Sequence, residues 1–292
     1  MNEMDIDLRK YLQQNHNQLT WKKRINITYE ITRALYWIHE EKAVHRDLHS
    51  GNILYLQLID SWYISDLGFC GPADKSSTSI YGNLSYIAPE VIVGREYTFA
   101  SDIYSIAILM WEISSGQTPF INYEHENDIV MNIINGIRPK IVPGTPLEYK
   151  NLMKQCWDAD PLKRPDADAL HIKMDKINLY YQNMSDELFK SEMDNLEMNK
   201  VEENYTSSSL FTSKIHTFGN LPEPRNATEE EQEAFHSKSY DFNIPNNSNN
   251  EKLSKEFKKL QIFSNDDDEV YNNPNFHSKE QDELEIPDGK LI

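Results

Sequence analysis

The octapeptide His45-Arg46-Asp47-Leu48-His49-Ser50-Gly51-Asn52, with Asp66-Leu67-Gly68 after it and Ala88-Pro89-Glu90 further on, is the stretch from which the fold of this chain is read. Between the first two motifs lie two short β-prone runs, Ile53-Leu54-Tyr55-Leu56 and Trp62-Tyr63-Ile64, separated by a polar break that includes Asp60-Ser61. Runs of that kind around a turn predict a hairpin. Paired strands return the chain to its starting end, so Asn52 and Asp66, 14 positions apart, are expected side by side. An amide oxygen next to a carboxylate is a hard oxygen pair suited to Mg²⁺ beside phosphates. Asp47 lies on the same tight loop, within reach of the proton of an attacking hydroxyl. Taken one at a time, each of these is also an ordinary turn residue, because Asp and Asn bond their own backbone in turns.

Outward from the loop, the stretch from Leu19 to His39 carries Ile27, Ile31, Ala34, Leu35 and Ile38 at helical spacing with charged residues between them, an amphipathic helix laid on a core. On the other side, Ser101 to Ile113 is apolar all round a helical wheel, which predicts a buried helix, and Gly116 supplies its stop. Further helices are expected at about 128–135, ended by Gly136 and Pro139, at 147–157 and at 166–176. The pattern is mainly α, of the α+β class, with one small hairpin and no large sheet.

The three motifs, in their order and spacing, resemble the protein kinase family, whose catalytic loop reads H-R-D-x-x-x-x-N, whose metal motif is D-F-G and whose activation segment closes with A-P-E. The resemblance implies a kinase large lobe with the hairpin at its catalytic loop, ATP and Mg²⁺ as cofactors, and protein as substrate. It makes Asp47 the catalytic base, Asn52 and Asp66 the metal ligands of the cofactor site, and Leu54 the residue under the adenine. His49 stands where serine/threonine kinases usually carry a lysine touching the γ-phosphate, and imidazole is the weaker partner for phosphate. His45 and Leu67 match the regulatory hydrophobic stack and are expected as packing residues. Glu90 and Arg164 match the buried pair that ties the activation segment to the helical lobe. Asp102 matches the anchor that the central helix offers to the catalytic-loop backbone, and is equally an ordinary acid at a helix start. Ser76, Ser77, Thr78, Ser79 and Tyr81 are candidate phosphosites with Arg46 as the cation for an incoming phosphate, and each alone also fits a solvated loop.

The resemblance covers about residues 5 to 178 and begins mid-domain, since Asp7-Leu8-Arg9-Lys10-Tyr11-Leu12 looks like the helix after the interlobe hinge. The glycine-rich loop, strand lysine and helix glutamate of a whole kinase do not precede Asp47, so weak or no transfer is expected of these residues alone. An apolar face left by the small lobe would invite a partner. Leu67 replaces the Phe of D-F-G, and Asn83 stands where Thr is common in Tyr81-Gly82-Asn83-Leu84-Ser85-Tyr86-Ile87-Ala88-Pro89-Glu90. The layout is similar to serine/threonine kinases of the tyrosine-kinase-like group. Two functions compete: a serine/threonine kinase, and an inactive lobe that binds kinases or substrates as a scaffold through its exposed face or tail.

The 292 residues carry 47 acidic and 29 basic side chains, a net charge of −18. Residues 1–180 hold 23 acidic against 18 basic, whereas the last 112 hold 24 against 11, so the charge sits mostly in the tail. An acidic chain without clustered Lys and Arg is a poor partner for nucleic acid. The longest apolar run, Ile106 to Trp111, is far short of the roughly 20 residues that span a bilayer. Acidic residues replace the basic start of a signal peptide, and Cys70 and Cys156 show no metal spacing, so a soluble protein of the reducing cytoplasm is expected. The kinase portion is placed at 1–178, and 179–292, rich in Asn, Ser and acid, is expected to be largely disordered. Within it Leu253, Phe257 and Leu260 form an apolar island, either a partner helix or a transient one. The stretch from Phe235 to Pro245 is similar to expanded tyrosine-kinase-like kinases of arbuscular mycorrhizal fungi.

Overall fold

The computed structural model describes residues 5–72, 80–123, 125–185, 212–219 and 221–237. Strand β1 (Ile6–Asp7) leads into helix α1 (Leu8–Asn15), whose N-cap Asp7 accepts the Lys10 amide at 2.9 Å. Helix α2 (Trp21–Glu40) is capped by Thr20 and buries Ile27, Ile31 and Leu35. After β2 (Ala43–Val44), the hairpin of β3 (Ile53–Leu56) and β4 (Ser61–Ile64) pairs Ile53 with Ile64 and Leu56 with Ser61, and β1 adds to its other edge. Glu30 on α2 holds this sheet by accepting the Trp62 amide at 2.8 Å.

Strand β5 (Gly71–Pro72) pairs with β2, and β6 (Ile80–Gly82) runs toward the short helix α3 (Pro89–Ile92). Helix α4 (Phe99–Ser115) is buried from Ser101 to Ser115 and ends at Gly116, whose φ of 70° is the left-handed geometry that stops a helix. It forms the axis of the core because a helix apolar on every side gains only when other elements cover it completely. Helices α5 (Glu126–Ile134), α6 (Leu147–Cys156) and α7 (Ala167–Asn183) complete the bundle, with α7 packed along α2 and α6 against α4. Mixed helix with small antiparallel sheets is thus the observed class, and α7 outruns its expected end by several residues.

Within the tail, 212–219 and 221–237 carry regular structure. Strand β7 (Lys214–His216) pairs antiparallel with β6, and helix α8 (Glu229–Ser237) lies beyond it. Phe218 and Leu221 pack against the core, and polar bonds fasten the second stretch to the helical body: the Arg225 amide donates to Ile134 O at 3.0 Å, the Asn226 side chain accepts the Ala159 amide at 2.8 Å, and Gln232 donates to Gly136 O at 2.7 Å. Gly136, at φ +82°, lets the Ala227 backbone come so close that a Cβ there would collide with it. The island around Phe257 lies outside the described residues.

Among the described residues no helix is long and apolar enough to cross a membrane. Both cysteines are free, and burial pushes each thiol up to about 12. Iodoacetamide at pH 8 is accordingly expected to leave both unlabelled in the folded chain by mass spectrometry, because the thiolate is the reactive form. Labelling at the rate of a free thiol would contradict this burial.

Candidate active site

The loop between β2 and β3 is held from below by Asp102 in the first turn of α4. Its carboxylate is 1% exposed and accepts the His45 amide at 2.8 Å and the Arg46 amide at 3.0 Å, with His39 Nε2 at 2.9 Å. Arg46 has φ 73°, a left-handed conformation unfavourable for a long side chain, so these bonds sustain a backbone that would otherwise relax. His45 is fully buried, with Nε2 donating to Ser65 O at 3.0 Å.

Asp47 follows directly and is 4% exposed. Its Oδ1 accepts the Asn83 amide at 3.3 Å and the Ser213 hydroxyl at 2.9 Å, and His49 Nε2 lies 3.7 Å from Oδ2. Burial by itself would raise its pKa, but the bonds from His49, Ser213 and Asn83 outweigh that and hold the carboxyl below its ordinary range. The group is therefore an anion at neutral pH with one hydroxyl, that of Ser213, donating to it.

Asn52 is 9% exposed and donates Nδ2 to Asp47 O at 2.9 Å, which turns its oxygen the other way. The Ser65 amide donates to Asn52 O at 2.8 Å, so the hairpin returns Asp66 to the immediate neighbourhood of Asn52. Asp66 is exposed, in a left-handed conformation at φ 58°. An amide oxygen and a solvent-facing carboxylate fit a hard divalent cation that keeps several waters. Leu54 sits half-buried on β3, opposite Asp7 on one side and Tyr63 on the other.

Leu67 differs from its expected packing role: it is 56% exposed, because Asp66 opens a single 3-10 turn, Leu67 to Phe69, that carries it outward. Phe69 stacks on Tyr81 at 3.8 Å between ring centres, and the Tyr81 amide donates to the Tyr97 hydroxyl at 3.2 Å. Ser76, Ser77, Thr78 and Ser79 lie outside the described residues. Arg46 extends its guanidinium over Gly71, where a Cβ would stand 2.9 Å from the nitrogens.

Glu90 and Arg164 form a bidentate pair at 2.7 and 2.8 Å with both side chains all but sealed from solvent. Arg164 also donates to Ala100 O and Asp158 O at 2.8 Å each, and lies over the Tyr104 ring.

Two features escaped the sequence reading. Glu112 on α4 accepts Ser50 Oγ at 2.8 Å and the Tyr86 hydroxyl at 2.5 Å, joining the loop to the core. Burial raises its pKa despite nearby Arg9. An acid inside an otherwise apolar helix was its available signal. Ser213 had none, since a serine in a polar tail looks like any other.

The loop, with Arg46 left-handed above a buried helix, presents a sunken carboxylate beside a hairpin-borne Asn and Asp. The profile of the protein tyrosine and serine/threonine kinase family matches residues 4–174, and the chain belongs to that family. It is 36% identical over 151 residues to the "Dual serine/threonine and tyrosine protein kinase" of Homo sapiens, covering 50% of this chain and 16% of that protein. It is 33% identical over 183 residues to the "Probable serine/threonine-protein kinase roco5" of Dictyostelium discoideum, covering 57% of this chain and 6% of that protein. The chain thus spans a small part of the length of these relatives.

Proposed function

We propose that this chain transfers the γ-phosphoryl group of ATP to serine or threonine hydroxyls of proteins, as a tyrosine-kinase-like kinase of intracellular signalling. The observation that carries this reading is the Asp47 carboxylate, buried, anionic and accepting an alcohol hydroxyl at 2.9 Å. In that role Asp47 takes the proton of the attacking hydroxyl. Asn52 and Asp66 hold Mg²⁺, which neutralises charge on the phosphates when bound, Leu54 lies under the adenine, and His49 faces the transferred group. Phosphate on Ser76, Ser77, Thr78, Ser79 or Tyr81 would pair with Arg46 and regulate the loop.

The kinase portion in this reading is 1–178. A polypeptide of these 292 residues alone is expected to transfer weakly, because the glycine-rich loop and strand lysine that complete the clamp on ATP are not among them. The inactive-scaffold reading is the lesser one, since a scaffold needs no acid held anionic under a hydroxyl.

The test combines transfer and binding. Asp47→Asn is expected to lower Mg²⁺-dependent phosphorylation of a mixed serine/threonine peptide pool by roughly 100- to 10,000-fold, the usual contribution of a general base. Millimolar ATP is expected to raise the melting temperature more with Mg²⁺ than without, and Asp66→Ala to remove that difference. Equal transfer by Asp47→Asn, or a Mg²⁺ effect that survives Asp66→Ala, would sink the assignment.

A further inference from the structure

The tail enters the site as a strand. β7 pairs with β6 in the register Ile80 to His216, Tyr81 to Ile215 and Gly82 to Lys214. Continuing that register by one residue sets Ser213 against the loop, where its Oγ donates to Asp47 Oδ1 at 2.9 Å and lies 3.0 Å from His49 Nε2. The next residues alternate as a strand must. Lys214 Nζ stands 2.5 Å from Glu126 Oε1 at the start of α5. Ile215 points out and is 61% exposed. His216 is 5% exposed, donates Nε2 to Gly82 O at 2.9 Å and turns Nδ1 toward Glu126 Oε2 at 3.5 Å.

One carboxylate therefore meets two side chains at alternate positions of an extended segment. The His216 contact, offset in part by burial, and then Lys214 hold the Glu126 carboxyl down at about 2, so it stays anionic at any working pH. Downstream the chain is tied to the same body through Arg225, Asn226 and Gln232, and His236 Nε2 meets Arg138 O at 3.1 Å. The occupant of the strand position is thus this chain's own residues.

We propose that residues 212–218 lie in cis along the peptide-substrate track with Ser213 in the acceptor position, and that this track selects an extended peptide with a basic residue one place after the serine and histidine or another base three places after it, both met by Glu126. The proposal rests on the kinase reading above and adds its substrate class. Because the strand is tethered, its effective concentration lets it compete with any peptide arriving from solution.

The experiment uses the full chain and two readouts that need no phosphoryl transfer: amide hydrogen exchange at 80–82 and 214–216, and binding of a labelled synthetic peptide with the sequence of residues 210–219. In the parent chain both stretches are expected to be protected and the peptide to bind poorly. Lys214→Glu sets two carboxylates together, so protection should be lost and the peptide should bind about tenfold tighter or more, the tethered competitor having left. Glu126→Lys should lose protection and peptide binding together. The double variant Lys214→Glu with Glu126→Lys should regain protection, which a misfolded chain would not do. Protection that persists in Lys214→Glu, peptide affinity equal in the parent and Lys214→Glu chains, or no rescue by the swap would overturn the inference. A chain that shows no Mg²⁺-dependent stabilisation by ATP yet follows this pattern refutes the kinase reading and keeps the occupied track; one that shows that stabilisation with 80–82 unprotected does the reverse.

Discussion

Replacing Arg164 with alanine is expected to lower the free energy of unfolding by about 3 to 5 kcal/mol, measured by urea titration with tryptophan fluorescence. The size follows from what the side chain leaves behind. Glu90 keeps its charge in a place almost closed to water, 4% exposed, with both of its bonds to Arg164 gone. The carbonyls of Ala100 and Asp158 lose a donor as well, and Tyr104 loses one of the two cations over its ring, Arg138 being the other. Truncating one partner of a buried pair costs far more than the pair contributes net, because the remaining ion still bears its desolvation. The double variant Arg164→Met with Glu90→Leu should therefore recover much of the loss. A cost below about 1 kcal/mol for Arg164→Ala, the range of exposed pairs, would show that water reaches Glu90.

Asp102→Ala is the second large effect, and it should strike the loop and the fold together. Two backbone amides, those of His45 and Arg46, and the His39 ring would lose their acceptor, a carboxylate that is 1% exposed. Each buried donor left unpaired costs about 1 to 3 kcal/mol, so three would cost about 3 to 9 kcal/mol, and the lower part of that range, about 3 to 5 kcal/mol, is expected because the Arg46 amide is only part-buried. Arg46, at φ 73°, would then be free to leave the left-handed region and drag Asp47 with it. Amide exchange at 45–47 should accelerate by more than the global loss of stability requires. Asp102→Asn should fare little better, since an amide offers one acceptor oxygen where two amides and a ring nitrogen converge. Uniform exchange acceleration across the chain would count against a local anchoring role.

The two variants separate what was readable in the residues from what was not. The order H-R-D, D-x-G and A-P-E names the family without coordinates, and the helical periods of 19–39 and 101–113 locate α2 and α4, because those signals are local in the chain. Leu67, expected as a packing residue, is exposed, because its position depends on a turn set by the backbone of Asp66, which no hydropathy pattern encodes. Glu112 stands out in the sequence as an acid in the apolar part of α4, but its role is defined only by Ser50 and Tyr86 around it. The order of 212–219 and 221–237 is not legible in their composition, because it comes from pairing with β6, from Phe218 and Leu221 packed on the core and from polar contacts with helices far away in sequence.

The family, the mostly helical architecture and the loop on which Asp47, Asn52 and Asp66 sit are legible in the residues alone, since each depends on residue types at short spacing. Only the tertiary structure decided that Asp47 is buried and anionic, that Asp102 holds the loop through two amides, and that Ser213 is brought to Asp47 across 166 positions. Such a contact is written in the pairing of β7 with β6 and in the bonds that fasten 221–237. Its energy comes from groups that are strangers in the chain and neighbours only after folding.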